Sequence, residues 1–145
     1  MNVPDLTTTF CGVTLPNPLI LASGILGTSA SLMARVAAGG AGAVTAKSCS
    51  PAPRAGHPNP TVLDWGAGFI NAVGLANPGL DEEIVILQET RSRLQQAGQG
   101  VRLIASIFGT TVEDYALLTE RISAAQPDFL EVNISCPNVH DELAR

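Results

Sequence analysis

The chain has 145 residues, 46% of them hydrophobic and 14% charged, a composition that argues against disorder and fits one folded domain. A net charge of -5, with no basic run and no basic-aromatic interleaving, argues against nucleic acid and anionic membranes as partners. No apolar stretch approaches the roughly 18 uncharged residues of a membrane span, and Met1 to Asp5 lacks the basic start and apolar block of a secretion signal, so a cytoplasmic location is expected.

In chain order, Thr7 to Thr14, turning at Cys11-Gly12, reads as a small hairpin. Pro18 to Ala22 is a short continuous apolar run, as expected of a strand buried on both faces. Ser29 or Ser31 can cap a helix running to about Ala38, which Gly39-Gly40 ends. Ala41 to Ala46 is a second buried strand, followed from Ser48 to Pro60 by a loop whose four prolines exclude a helix or a central strand. Phe69-Ile70-Asn71 leads into a second turn-rich loop with Gly74 and Asn77-Pro78-Gly79. Asp81-Glu82-Glu83 then places acidic residues at the positive end of a helix that continues to about Gln96. Leu103 to Ile107 is a third strand of the main series, Thr111 caps a helix to about Ala125, and Phe129 to Asn133 is the fourth strand.

Strands alternating with helices predict a parallel sheet with right-handed crossovers, either open and doubly wound or closed as a barrel. Polar and glycine residues gather after the strands, at Ser23-Gly24, Lys47-Ser48, Ser106 and Asn133 to Asn138, the edge where both architectures build their sites. No GxGxxG follows the first strand, which favours the (βα)8 TIM barrel. A full barrel needs about 250 residues, so the expectation is an α/β chain carrying about the first four βα units.

Three cysteines, Cys11, Cys49 and Cys136, show no CxxC spacing, and His57 and His140 lack a partner four residues away. Neither a disulfide framework nor a metal site is expected. Cys136 follows the fourth strand between Ser135 and Pro137, flanked by the amides of Asn133 and Asn138. A thiol has an ordinary pKa of about 8.5 and can be tuned to take a proton near neutrality. On its own, however, it reads better as a small buried cysteine beside a turn-forming Pro-Asn. Asn71 to Asn77 repeats the theme of amides around a glycine, and is as readily a simple turn. Lys47 is the only lysine among eight basic residues and ends an apolar strand. A cation there needs an anion or an electron-rich group, such as a flavin carbonyl edge or a substrate carboxylate, unless it snorkels to solvent.

Ala22-Ser23-Gly24, Lys47-Ser48, Pro53-Arg54-x-Gly56-x-Pro58, Asn71-Ala72-Val73-Gly74-Leu75 and Asn133-Ile134-Ser135-Cys136-Pro137-Asn138, in this order, resemble class 1 dihydroorotate dehydrogenases from about Leu15 to Val139. The Asn71 to Gly79 stretch is closer to the NAD-linked, two-subunit (1B) subgroup than to the fumarate-using one. The resemblance implies that residues 1–145 form the N-terminal half of a single FMN-binding barrel domain that oxidises dihydroorotate to orotate in pyrimidine synthesis. Carried over by position, Ser23, Lys47, Ser48, Ser106 and Asn133 would contact FMN. Lys47, Asn71, Ala72, Val73, Gly74, Leu75, Asn133 and Asn138 would hold the substrate, and Cys136 would remove the C5 proton while hydride leaves C6 for the flavin. It further implies an electron-transfer subunit with FAD and an iron–sulfur cluster that passes electrons to NAD, and a homo- or hetero-oligomer when the protein is full length.

The sequence departs from the family at Ser106, where an asparagine is usual, so this flavin contact would have a shorter reach. The glycine-rich phosphate sites expected near strands seven and eight are not in the chain. It is therefore expected to bind FMN weakly and to be inactive by itself. Two other readings compete. A dihydropyrimidine dehydrogenase-like flavoenzyme is disfavoured by Asn138, and a non-catalytic half-barrel would use its open sheet edges for assembly.

Overall fold

The computed structural model of the chain describes residues 4–135, so Cys136 and Asn138 lie outside the described residues. The chain starts with an antiparallel hairpin, β1 (Thr8–Phe10) and β2 (Val13–Leu15), in which Thr9 pairs with Thr14. Its turn residues, Cys11 and Gly12, take φ of 47° and 77°, as the sequence reading anticipates. Then follow β3 (Ile20–Leu21), α1 (Ala30–Ala38), β4 (Ala43–Thr45), the hairpin β5 (Val62–Asp64) and β6 (Phe69–Asn71), and α2 (Leu80–Ala97). The described chain closes with β7 (Arg102–Ile107), α3 (Val112–Ile122), a 3-10 turn over Ser123–Ala125 and β8 (Phe129–Val132).

Strands β3, β4, β7 and β8 lie side by side in that order, all parallel, each joined to the next by a segment containing a helix. The helices begin and end where local chemistry dictates. The Ser29 hydroxyl accepts from Leu32 N, and Thr111 and Asp114 form a reciprocal capping box at the start of α3. Gly98, at φ 64°, ends α2 in the left-handed conformation that glycine adopts without strain.

Alternation along the strands sends side chains to two faces. Val44, Leu103, Ala105 and Ile107 join Met33, Leu87 and Leu118 of the helices in the main core. Ala43 and Ile104 turn to the other face, where Leu15 of the hairpin and Phe129 close the amino end of the sheet. The Phe10 and Phe129 rings meet there at 5.3 Å in a tilted pair. Burying a side chain of leucine size contributes about 1.5–3 kcal/mol, so the outer layer is the principal source of stability. Below it, Asp128 accepts Arg102 and Arg91 at 3.3 Å and 3.5 Å, and also holds Leu103 N at 2.9 Å. That tie fixes the entry of β8 against β7.

Two expectations are corrected. The Pro18 to Ala22 run is not buried on both faces: only Ile20–Leu21 pairs, and Leu19 is 66% exposed. The reason is position, since β3 is an edge strand among the described residues and has a neighbour on one side only. Between the two loops, the sequence reading also omits the β5–β6 hairpin, whose Val62, Leu63, Phe69 and Ile70 are all exposed. Among the described residues, no helix is long and apolar enough to cross a membrane.

Candidate functional site

The site grows from an irregularity at the end of β4. Thr45 pairs with Ile104, and Ala46 N bonds Ile104 O at 2.9 Å. The next ladder bond to Ser106 O comes from Cys49 N, at 3.0 Å, where a regular strand would use residue 48. One extra residue therefore sits on β4, a bulge that re-aims the segment Lys47-Ser48. Beyond it Cys49 returns to the core and pairs with Ile107. A neighbour enforces the local path: Lys47 N bonds Gly27 O at 2.8 Å, and a Cβ on Gly27 would fall 2.3 Å from Thr45 O. Only glycine allows the loop after β3 to lie against β4.

The bulge brings Ser48 into a row of polar side chains across four strand ends. Ser48 Oγ lies 2.8 Å from Ser106 Oγ and 3.4 Å from Ser23 Oγ, and accepts from Asn133 Nδ2 at 3.4 Å. Ser23 donates to Ala46 O at 2.9 Å, and Ser106 donates to Glu131 Oε1 at 2.8 Å. Of four residues singled out from the sequence, Ser48, Ser106 and Asn133 are thus one hydrogen-bonded set, with Ser23 held beside Ser48 through its bond to Ala46 O. Lys47, next to Ser48 in the chain, is half-buried, and a Cβ on Gly24 would lie 3.3 Å from its ammonium. No carboxylate among the described residues pairs with Lys47.

Asn133, the last residue before the Ile134-Ser135 segment, is held three ways. Its N–H donates to Ile107 O at 2.9 Å, its carbonyl accepts from the Tyr115 hydroxyl at 2.8 Å, and its Oδ1 accepts from Ser135 N at 3.4 Å. The start of the loop that leads to Cys136 is therefore anchored to β7, to α3 and to the serine row.

The Asn71 to Leu75 loop is a separate construction. Asn71 and Ala72 are exposed at the end of the hairpin, Val73 is half-buried, and Gly74 and Leu75 are buried. None of these five bonds directly to the serine row among the described contacts. The proline-rich segment shapes them instead: Arg54 Nε donates to Gly74 O at 2.7 Å and His57 N to Val73 O at 3.1 Å. Asn77 locks the base of the loop, accepting from Gly79 N and donating to Leu75 O, both at 2.9 Å. It also exchanges both backbone hydrogen bonds with Arg54. The two loops are thus tied to each other by backbone and side-chain hydrogen bonds.

Cys49 does not belong to the site. Burial, reinforced by the charge of Glu83, pushes its thiol up from 9.0 to about 12, so it stays protonated and unreactive. Among the described cysteines, only Cys11 is exposed, at the far end of the sheet.

Residues 5–144 match the family profile described as dihydroorotate dehydrogenase. The chain belongs to that family. It is 44% identical over 133 residues to the catalytic subunit of dihydroorotate dehydrogenase B (NAD(+)) from Methanocaldococcus jannaschii, covering 92% of this chain and 42% of that one. It is 46% identical over 131 residues to the subunit of the same name from Methanosarcina mazei, with coverage of 90% and 40%. The chain therefore spans about 40% of the length of these relatives. In three dimensions it is similar to a dihydroorotate dehydrogenase from Eimeria tenella solved in complex with ferulenol, with a TM-score of 0.81 at 25% identity, over 96% of this chain and 39% of that one. This resolves the choice between open sheet and barrel: the chain carries part of a (βα)8 barrel.

Two polar residues of the candidate site escape the sequence reading. Glu131 alternates with Phe129 and Asn133, so it shares their face, and a carboxylate at period two inside a strand was the available signal. Tyr115 carries no such signal. Its hydroxyl reaches Asn133 only because α3 packs across β7, a relation that spacing does not reveal.

Proposed function

We propose that this chain supplies the catalytic base and part of the flavin platform of an FMN-dependent oxidation of dihydroorotate to orotate. In this reading residues 1–145 are the first half of one FMN-binding barrel domain. The observation that carries it is the row of Ser23, Ser48, Ser106 and Asn133 across the strand ends, next to Lys47, whose ammonium has no carboxylate partner among the described residues. Such a row offers a flat ring several hydrogen-bonding groups along one side, and Gly24 leaves room for close approach beside Lys47. Lys47 faces an electron-rich ring edge or a carboxylate, either of which relieves the desolvation of its charge. Ser106, in place of the asparagine usual in the family, is engaged by Ser48 and Glu131, and so supports the platform rather than reaching out from it.

FMN, when bound, supplies the acceptor for the hydride from C6. The chain's own share is the proton. Cys136 takes it from C5, on a loop whose root is pinned through Asn133. Asn133 and Asn138, with Asn71 to Leu75, hold the ring and its carboxylate. The relatives named as NAD(+)-linked catalytic subunits support a second polypeptide, carrying FAD and an iron–sulfur cluster, that passes the electrons to NAD. The pathway assignment to pyrimidine synthesis and a cytoplasmic location go with this activity.

The test is turnover of dihydroorotate by the full-length protein against its Cys136→Ala variant, with flavin content measured in both. Loss of orotate formation with flavin retained supports the reading. Near-normal turnover by the variant, or a preference for dihydrouracil over dihydroorotate, overturns it.

A further inference from the structure

The serine row has a direction, and its source is a residue that touches no ligand in the proposed site. A hydroxyl carries one hydrogen and an ionised carboxylate none. Ser106 gives its hydrogen to Glu131 Oε1 at 2.8 Å, so in the 2.8 Å contact between Ser48 and Ser106 the donor must be Ser48. Ser23 gives its hydrogen to Ala46 O at 2.9 Å. The 3.4 Å approach of Ser23 to Ser48 therefore contains no hydrogen, and Ser48 Oγ presents only lone pairs to the site. The one donor left to it is the Asn133 side chain, whose Nδ2 stands 3.4 Å away. The reverse amide orientation would set Oδ1 against an oxygen whose hydrogen is already used, and would turn Nδ2 toward the Ser135 N–H, which needs an acceptor.

We propose that Glu131 is a positioning residue that, through Ser106 and Ser48, fixes which way the Asn133 amide faces. Without an acceptor at position 131 the hydrogens of Ser106 and Ser48 can both reverse, and the Ser48 contact then accepts either amide orientation, leaving only the 3.4 Å bond from Ser135 N to select one. With Glu131 in place both contacts select the same orientation. The fixed orientation holds the second Nδ2 hydrogen as a donor at the platform and keeps Oδ1 on Ser135, next to Cys136. The role assigned to that donor rests on the flavin reading above, whereas the orientation itself does not.

The variants Glu131→Leu, Glu131→Gln, Ser106→Ala and the double Glu131→Leu/Ser106→Ala, made in the full chain, separate the possibilities. Glutamine can still accept from Ser106 and keeps the direction, whereas leucine cannot. FMN affinity, read by quenching of flavin fluorescence, is expected to weaken about tenfold in Glu131→Leu and in Ser106→Ala, the size of one hydrogen bond. The double variant is expected to be no weaker than either single, because both act on one chain of bonds. Glu131→Gln is expected to stay within about threefold of the parent. Equal weakening by glutamine and leucine, or a multiplicative loss in the double variant, overturns the proposal.

A second readout needs no cofactor. The Asn133 side-chain amide signals in protein with labelled asparagine should show one orientation in the parent and Glu131→Gln, and averaging in Glu131→Leu. Signals unchanged in Glu131→Leu refute the mechanism even if flavin binding changes. A parent protein that takes up no FMN counts against the flavin reading alone, and the amide signals still decide the role of Glu131.

Discussion

Glu83 lies near enough to Cys49 for its charge to push that thiol up, and both are buried beneath α2. Glu83 occupies a position in the stripe Leu80, Glu83, Leu87, Thr90, Leu94 that otherwise packs the helix on the sheet. Neither of its carboxylate oxygens finds a hydrogen-bond partner among the described residues. Burial, aided by neighbouring Glu82, pushes its pKa from 4.5 up to about 8.

The sign of the consequence follows from linkage. Between about 4.5 and about 8 the folded chain keeps the Glu83 proton and the unfolded chain releases it, so stability falls as pH rises through that window. From pH 6 to pH 8 the loss attributable to this group is on the order of 2 kcal/mol. Urea midpoints of the parent and Glu83→Gln at both pH values measure it. The parent should lose more than the variant on going to pH 8, and parallel changes would show that Glu83 is already charged at pH 6.

Thiol reactivity should divide by burial. With Cys136 replaced by Ser, iodoacetamide at pH 8 should label Cys11 and leave Cys49 untouched until denaturant is added, because Cys49 is fully buried and its thiol stands at about 12. Peptide mass mapping reads this directly. Labelling of Cys49 in the native protein would mean that the α2 layer opens readily.

What the sequence revealed and what it hid divide along one physical line. Caps, turns and apolar runs are local, so Ser29, Thr111, Gly39 and the strands around Val44 and Leu103 were legible from their neighbours. The β5–β6 hairpin was not, because its apolar side chains are exposed and give no buried face to anchor a period. The bulge before Cys49 was hidden for another reason: it exists only in the register against β7, some sixty positions along the chain. Ser23, Ser48, Ser106 and Asn133 could each be named from position after a strand. That they meet in one row, and that Glu131 accepts from Ser106 at its end, depends on contacts between residues 25 to 85 positions apart.

The two flanking loops predict a glycine effect. Gly56 has φ 74°, and a Cβ there would fall 2.4 Å from Val73 O and 2.8 Å from Ala76 Cβ. Gly56→Ala must push the proline-rich segment off the Asn71 to Leu75 loop, at a cost of about 1–3 kcal/mol. On the proposed function the substrate KM should rise, with flavin content near the parent's. A KM equal to the parent's would remove that loop from substrate binding.

On the proposed function, Tyr115 offers a test of the segment that leads to the proposed base. Its hydroxyl donates to Asn133 O at 2.8 Å from α3, and Tyr115→Phe removes that bond while leaving the ring in the core. The stability change should be about 1 kcal/mol, one partly buried hydrogen bond. The Asn133 carbonyl is freed two residues before Ser135, so the larger effect should fall on the proton step. Turnover should drop several-fold with KM little changed, since a loosened base is misplaced for part of the time. A rise in KM with turnover intact would instead assign Tyr115 to holding the ring through Asn133, and no change in either would make its hydroxyl purely structural.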